Sequence, residues 1–263
     1  MPQLQALIFD VDGTLADTER DAHRVAFNRA FVEAGLDWEW SVERYGELIK
    51  VAGGKERILA YLNSDRPGFC PADDLWAWAA ALHRAKKRHY SELMQQGLIP
   101  LRPGVKRLIQ EARDQKMRLA IATTSDPENV LALLKATLGT ESPGWFDVIA
   151  AGDIVPAKKP APDIYQYALQ ALGLSPEVCL AIEDSYQGLK ASTQAGLRTV
   201  ITFNGYTQDD DFSGAVLVLN HLGEPDQPFQ AMTPLPQEAA YFDLALAEAL
   251  LRANNSCSGS HCG

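Results

Sequence analysis

The chain has 263 residues, of which 46% are hydrophobic and 22% charged, an ordinary globular composition with enough length for one large domain, or a domain and an insert, around a real core. A formal net charge of -10 argues against a nucleic-acid partner or an anionic membrane surface, but leaves room for a small anionic substrate, which needs only local cations. No apolar run reaches the about 18 residues of a membrane span, and no basic stretch with an apolar core and cleavage site opens the chain, so a cytoplasmic protein with no membrane partner is expected.

The first apolar run, Leu7-Ile8-Phe9-Asp10-Val11-Asp12-Gly13-Thr14, reads as a strand delivering two acids. One residue separates Asp10 from Asp12, so in extended chain both carboxylates leave the same side, and Gly13 permits a sharp turn. Such a pair can bind a hard cation and divide labour, one acid as nucleophile and one as acid/base. On these residues alone an acidic turn after a strand is an equal reading. Thr18 with Asp21 predicts a capped helix start, followed by Val25, Ala26, Phe27, Ala30 and Phe31 at helical spacing and a stop at Gly35. Residues 38–97 stay helical in pattern, broken at Gly53-Gly54 and at 63–68.

After Pro100 strands and helices alternate. Helices are expected from Pro103 to about Gln115, from Pro127 to Gly139, from Pro162 to Leu172 and from Gln187 to Ala195. Strands are expected at Leu119–Ala122, Asp147–Ala151, Val178–Ile182, Arg198–Thr202 and Ala215–Leu219. The alternation predicts an α/β fold, a parallel sheet covered on both faces, split by a helical insert. The divisions are a core at 1–16 and 98–222, a helical cap at 17–97, and a C-terminal extension at 223–263. The extension is Pro-rich, with a short helix at Leu244–Leu251 and a disordered Ser/Gly/Asn tail. Cys70, Cys179, Cys257 and Cys262 have no zinc spacing and fit a reducing compartment.

Ligands of such sheets lie beyond the C-terminal strand ends. Those ends gather Asp10 and Asp12, then Thr123-Thr124-Ser125, then Lys158-Lys159-Pro160, then Glu183-Asp184. Singly, each reads as structural: hydroxyls cap helices, a Lys-Lys-Pro is a solvated loop, and Glu-Asp-Ser before a helix is a cap. All four in order on one sheet edge are far less expected by chance.

The ordered set resembles the haloacid dehalogenase superfamily of phosphohydrolases. It matches in D-x-D-G-T at Asp10–Thr14, in Thr123, in Lys159 before Pro160 and in E-D-S at Glu183–Ser185, across about residues 4–221. The insert is similar to that superfamily's small helical cap. The resemblance implies a Rossmann-like core, Mg2+, and phosphoryl transfer in two steps through an aspartyl-phosphate. Asp10 would be the nucleophile, with its carboxyl pKa kept low by the cation and nearby donors. Asp12 would be the acid/base. Asp10, the backbone carbonyl of Asp12, and Asp184 would hold Mg2+, with Glu183 acting through a bound water. Thr123, Thr124 and Lys159 would hold the phosphoryl oxygens. Lys158 is the rival for the lysine role, and Lys159 is preferred because it directly precedes Pro160.

In the cap, Gly53-Gly54-Lys55-Glu56-Arg57 makes a donor-rich loop suited to an anion. Its plain alternative is a helix boundary with a charged first turn, although cations there oppose the helix macrodipole. His83-Arg84-Ala85-Lys86-Lys87-Arg88 is a second basic cluster, in which Lys87 and Arg88 read as a solvated face. A second phosphate on the substrate would account for both clusters. Together with Glu19, His23, Tyr45 and Arg102-Pro103-Gly104, these residues look like the xylulose-1,5-bisphosphate phosphatases of Calvin-cycle organisms, which remove an inhibitory misfire product of ribulose-bisphosphate carboxylase. By that resemblance Lys55, Arg57, His83 and Lys86 would grip the distal phosphate, Glu19 and Tyr45 would meet the sugar hydroxyls, and His23 would line the site near the hinge. His23 and His83 read equally as structural histidines. The expected partner is a small sugar phosphate, bound by a monomer. Two alternatives stay open: a β-phosphoglucomutase-like enzyme sharing the core chemistry, and a catalytically silent sugar-phosphate binder, disfavoured because Asp10, Asp12, Lys159 and Asp184 are all present.

Overall fold

The computed structural model describes residues 3–51 and 53–252. Cys257, Cys262 and the tail expected to be disordered therefore lie outside the described residues. Six strands, β1 (Ala6–Phe9), β2 (Arg118–Thr123), β3 (Val148–Ala151), β4 (Cys179–Glu183), β5 (Arg198–Thr202) and β6 (Leu217–Leu219), form one sheet in the order β3-β2-β1-β4-β5-β6. Every neighbouring pair is parallel. The strands read as nearly continuous apolar runs because both faces are covered, and β1 is buried throughout. Chain order reverses around β1, which lies between β2 and β4, so the crevice at its C-terminal end is the natural ligand position for this α/β fold.

The chain divides into two compact units, Met1–Asp17 with Pro100–Gly263, and Thr18–Ile99. The second unit holds α1 (Arg24–Glu33), α2 (Val42–Leu48), α3 (Gly54–Asp65) and α4 (Leu75–Gln95). Its interior is aromatic: Phe31 meets Trp40 edge-on with ring centres 4.9 Å apart, and Trp40 meets Tyr61 at 5.5 Å. Such edge-to-face pairs add about 0.5–1.5 kcal/mol beyond their buried area. The sheet unit holds α5 (Val105–Asp114), α6 (Pro127–Leu138), α7 (Asp163–Leu172), α8 (Tyr186–Gln194) and α9 (Leu244–Arg252). Small residues Ala6, Ala120, Ala122, Ala150 and Ala181 pave one sheet face and admit the Ile164, Tyr165 and Ala168 side of α7.

Element boundaries depart from expectation by one or two residues, with one physical correction. Thr18 makes no side-chain cap; its backbone is already helical at φ -62°, ψ -31°, and the chain passes through a π-helical turn at Glu19–His23 before α1. A capping hydroxyl needs an extended backbone to reach the N–H groups ahead of it, so the Thr-x-x-Asp pattern carries no cap here. The described part of the extension, residues 223–252, belongs to the sheet unit. Met232 N–H donates to Val218 O on the sheet edge, and Arg198 Nη1 donates to Leu250 O and Leu251 O at the end of α9. No helix among the described residues is long and apolar enough to cross a membrane.

Candidate active site

Asp10 follows the last residue of β1, and its N–H donates to Ile182 O at 3.0 Å, continuing the β1–β4 ladder one step beyond the strand. The chain then turns: Gly13 N–H reaches Ala16 O at 2.8 Å. Gly13 sits at φ +87°, and a Cβ there would lie 2.2 Å from Asp184 Oδ2. Glycine is needed twice over, for the left-handed backbone and for the approach of the neighbouring carboxylate. Asp12 accepts a hydrogen bond from Ser125 Oγ, and Ser125 N–H donates to Thr123 Oγ1 at 3.2 Å. Ser125 is therefore no helix cap; Asp126 stands at that position, without a side-chain cap of its own. Thr123 is buried and Thr124 exposed.

Lys159, preceding a cis peptide bond to Pro160, places Nζ 2.6 Å from Asp10 Oδ1 and 2.5 Å from Glu183 Oε1. Lys158 turns outward to Asp153 at 2.8 Å. Glu183 is completely buried and also accepts from Tyr165 Oη and from the Asp184 N–H. A Cβ on Gly188 would stand 1.9 Å from the Glu183 carboxyl carbon, so α8 needs glycine where it passes this acid. Asp184 Oδ2 accepts from Asn204 Nδ2 at 2.7 Å. Sequence patterning singled out neither Tyr165 nor Asn204: the first reads as a core aromatic of α7, the second as a loop residue.

Asp10, Glu183 and Asp184 bring carboxylate oxygens within 4.8 Å of one another, all three residues buried. Burial pushes the Asp10 carboxyl up to about 7; Lys159 opposes the rise, while Glu183 and Asp12 add to it. Burial, with Asp10 and Glu183 as neighbours, raises Asp184 well above the usual carboxylate range. Burial works against the Lys159 ammonium, but Asp10 and Glu183 outweigh it and raise its pKa. The low Asp10 pKa expected from the sequence is thus not supplied by the protein's own groups. Three buried acids outnumber the Lys159 ammonium and the Arg102 guanidinium that act on them, and with their all-oxygen donor set this suits a hard divalent cation.

In the helical unit Tyr45 Oη donates to Glu19 Oε2 at 2.6 Å, and Arg57 Nη1 donates to Tyr45 Oη at 2.9 Å. Arg57 also donates to Leu48 O and Val51 O, so it ties α3 to the end of α2 as well as offering charge. Lys86 is 5% exposed; its Nζ bonds His23 Nδ1 and lies 4.9 Å over the Tyr90 ring. Lys55 Nζ lies 4.4 Å over the exposed Trp76 ring. Gly53 has φ +90°, and a Cβ on Gly54 would lie 2.3 Å from His83 Nε2, so the two glycines let the α3 N-terminus approach the imidazole. Burial, then Lys86, Lys87 and Lys55, lower the His83 pKa from 6.5 to about 4. The unfolded chain therefore binds a proton that the folded one refuses, and His83 lowers stability as pH falls from 6.5 toward 4. The expected measurement is a His83 ring titrating near 4 by NMR, with the acid-side loss of stability reduced in His83→Gln. A titration at 6 or above would contradict it.

The haloacid dehalogenase-like hydrolase family matches residues 4–196. Protein CbbY of Rhodobacter capsulatus is 51% identical over 213 residues, 81% of this chain and 91% of that protein. The plasmid-encoded protein CbbY of Cupriavidus necator is 49% identical over 231 residues, 88% of this chain and 91% of that protein. A crystal structure of a CbbY mutant from Rhodobacter sphaeroides in complex with xylulose-1,5-bisphosphate is similar at a TM-score of 0.71 and 45% identity, covering 83% of this chain and 95% of that one.

Proposed function

Since the chain belongs to the haloacid dehalogenase-like hydrolases and is a phosphoric monoester hydrolase, we propose that it removes one phosphate from a sugar bisphosphate, xylulose-1,5-bisphosphate, leaving xylulose 5-phosphate. The observation that carries the core chemistry is the buried Asp10–Lys159–Glu183 array beside Asp184. The substrate reading is supported by the basic residues of the helical unit and by the sugar bisphosphate bound to the Rhodobacter sphaeroides relative.

Asp10 attacks phosphorus, the P–O bond to the sugar breaks, and Asp12 gives its proton to the departing oxygen. Asp12 then takes a proton from water, which attacks the aspartyl-phosphate, releases inorganic phosphate and restores Asp10. Ser125, bonded to Asp12, holds this acid at the turn. Lys159 balances charge on the phosphoryl oxygens, and Glu183 with Tyr165 fixes the lysine in place. Asp10, Asp184 and the Asp12 carbonyl would hold Mg2+, which supplies positive charge against the transferring group. In this reading the enzyme clears an inhibitor of ribulose-bisphosphate carboxylase.

Lys55 reads the distal phosphate. Lys55→Ala is expected to lower kcat/KM for the bisphosphate by about 10–100-fold and for a sugar monophosphate by less than about 3-fold, the worth of one charge-assisted contact. It is the cleaner probe than Arg57, which also braces α2 against α3. Equal losses on both substrates in steady-state phosphate release would remove Lys55 from the distal site.

A further inference from the structure

We propose that Asn204 is a positioning residue that sets the orientation of Asp184, and so the affinity of the carboxylate cluster for its divalent cation; this rests on the cation reading given above. Asn204 stands just past β5 in a tightly specified turn. Its Oδ1 accepts from Tyr206 N–H at 2.9 Å and its N–H donates to Thr207 Oγ1 at 3.0 Å. Because a backbone N–H can only donate, the Tyr206 bond fixes which end of the amide is oxygen. The NH2 end then has to face Asp184, and Nδ2 donates to its Oδ2 at 2.7 Å.

The other Asp184 oxygen, Oδ1, lies 3.5 Å from Thr14 Oγ1. Asn204 on one oxygen and Thr14 on the other fix the plane of the Asp184 carboxylate within the cluster it forms with Asp10 and Glu183. The tether is itself anchored. Arg102, 8% exposed, donates to Gly13 O, to Thr202 O at 2.6 Å and to Phe203 O at 2.6 Å. One guanidinium thus clamps the two turns that flank Asp184: that of Gly13, whose absent Cβ makes room for Oδ2, and that of Asn204. Groups that orient metal-binding carboxylates without touching the ion change affinity about 10–100-fold when removed.

The test is Mg2+ binding by titration calorimetry to the full chain and to Asn204→Ala and Asn204→Ser. Serine keeps an acceptor for Tyr206 N–H but is too short to reach Asp184, so it reads the amide tether even if alanine loosens the turn. The expected result is a Mg2+ dissociation constant raised about 10-fold or more in both variants, with the metal-free melting midpoint of the serine variant little changed. Activity lost at low Mg2+ should return at high Mg2+. Mg2+ binding within 2-fold of wild type in both variants would overturn the role of Asn204. Absence of Mg2+ binding by the wild-type chain would instead overturn the cation reading beneath it.

Discussion

Asp10→Asn is expected to lower kcat by about 10^4-fold or more while the protein stays folded, because it deletes the attacking oxygen and leaves the shape of the site in place. The fold has no need of this charge. Burial pushes the Asp10 carboxyl up to about 7, so an uncharged amide of the same shape relieves a desolvated group, and the metal-free melting midpoint should equal or exceed that of wild type. Lys159 loses one of its two carboxylate partners but keeps Glu183 at 2.5 Å. Phosphate release under single-turnover conditions, beside a thermal melt, checks both statements. Turnover within 10-fold of wild type would dismiss Asp10 as nucleophile.

Arg102→Met is expected to cost stability rather than chemistry directly, by about 3–5 kcal/mol, the size of breaking a buried charged network. The arginine donates to the carbonyls of Gly13, Thr202, Phe203 and Asn220 and lies 3.3 Å from Asp17 Oδ1. Methionine fills the volume but donates nothing, so those carbonyls lose a shared buried partner. For a chain of this size the loss corresponds to a melting midpoint lower by roughly 10 °C. Urea unfolding that shows less than about 1 kcal/mol of change would mean water or backbone adjustment replaces the clamp.

The α/β core was legible because its signals are local. A β-branched run between glycines marks a strand such as Arg198–Thr202, which lies between Gly196 and Gly205, and a helix that stops at Gly139 or Gly173 stops for a reason visible in the residue itself. Strand-end placement then gathers Asp10, Lys159, Glu183 and Asp184, because a parallel sheet puts every C-terminal end on one edge. What escaped the sequence is set by distance along the chain. Ser125 meets Asp12 across 113 positions, and Arg102 meets Asn220 across 118; no periodicity reports such pairs. Tyr165 follows the apolar pattern of α7, so its hydroxyl on Glu183 is invisible until α7 is laid on the sheet. The Thr18 cap failed for a different reason: a capping pattern is read from residue types, whereas capping depends on φ and ψ. In the helical unit the basic residues were legible as charge, but not their partners, such as Trp76 under Lys55 or His23 against Lys86.

The most direct test of the proposed activity is inorganic phosphate release with and without Mg2+ on xylulose-1,5-bisphosphate, ribulose-1,5-bisphosphate, fructose-1,6-bisphosphate and β-glucose-1-phosphate. The predicted result is Mg2+-dependent release with kcat/KM for xylulose-1,5-bisphosphate at least about 10-fold above the others, one or more good contacts' worth of discrimination. Equal rates across the panel would contradict the substrate assignment. Conversion of β-glucose-1-phosphate to glucose 6-phosphate without phosphate release would contradict hydrolysis itself.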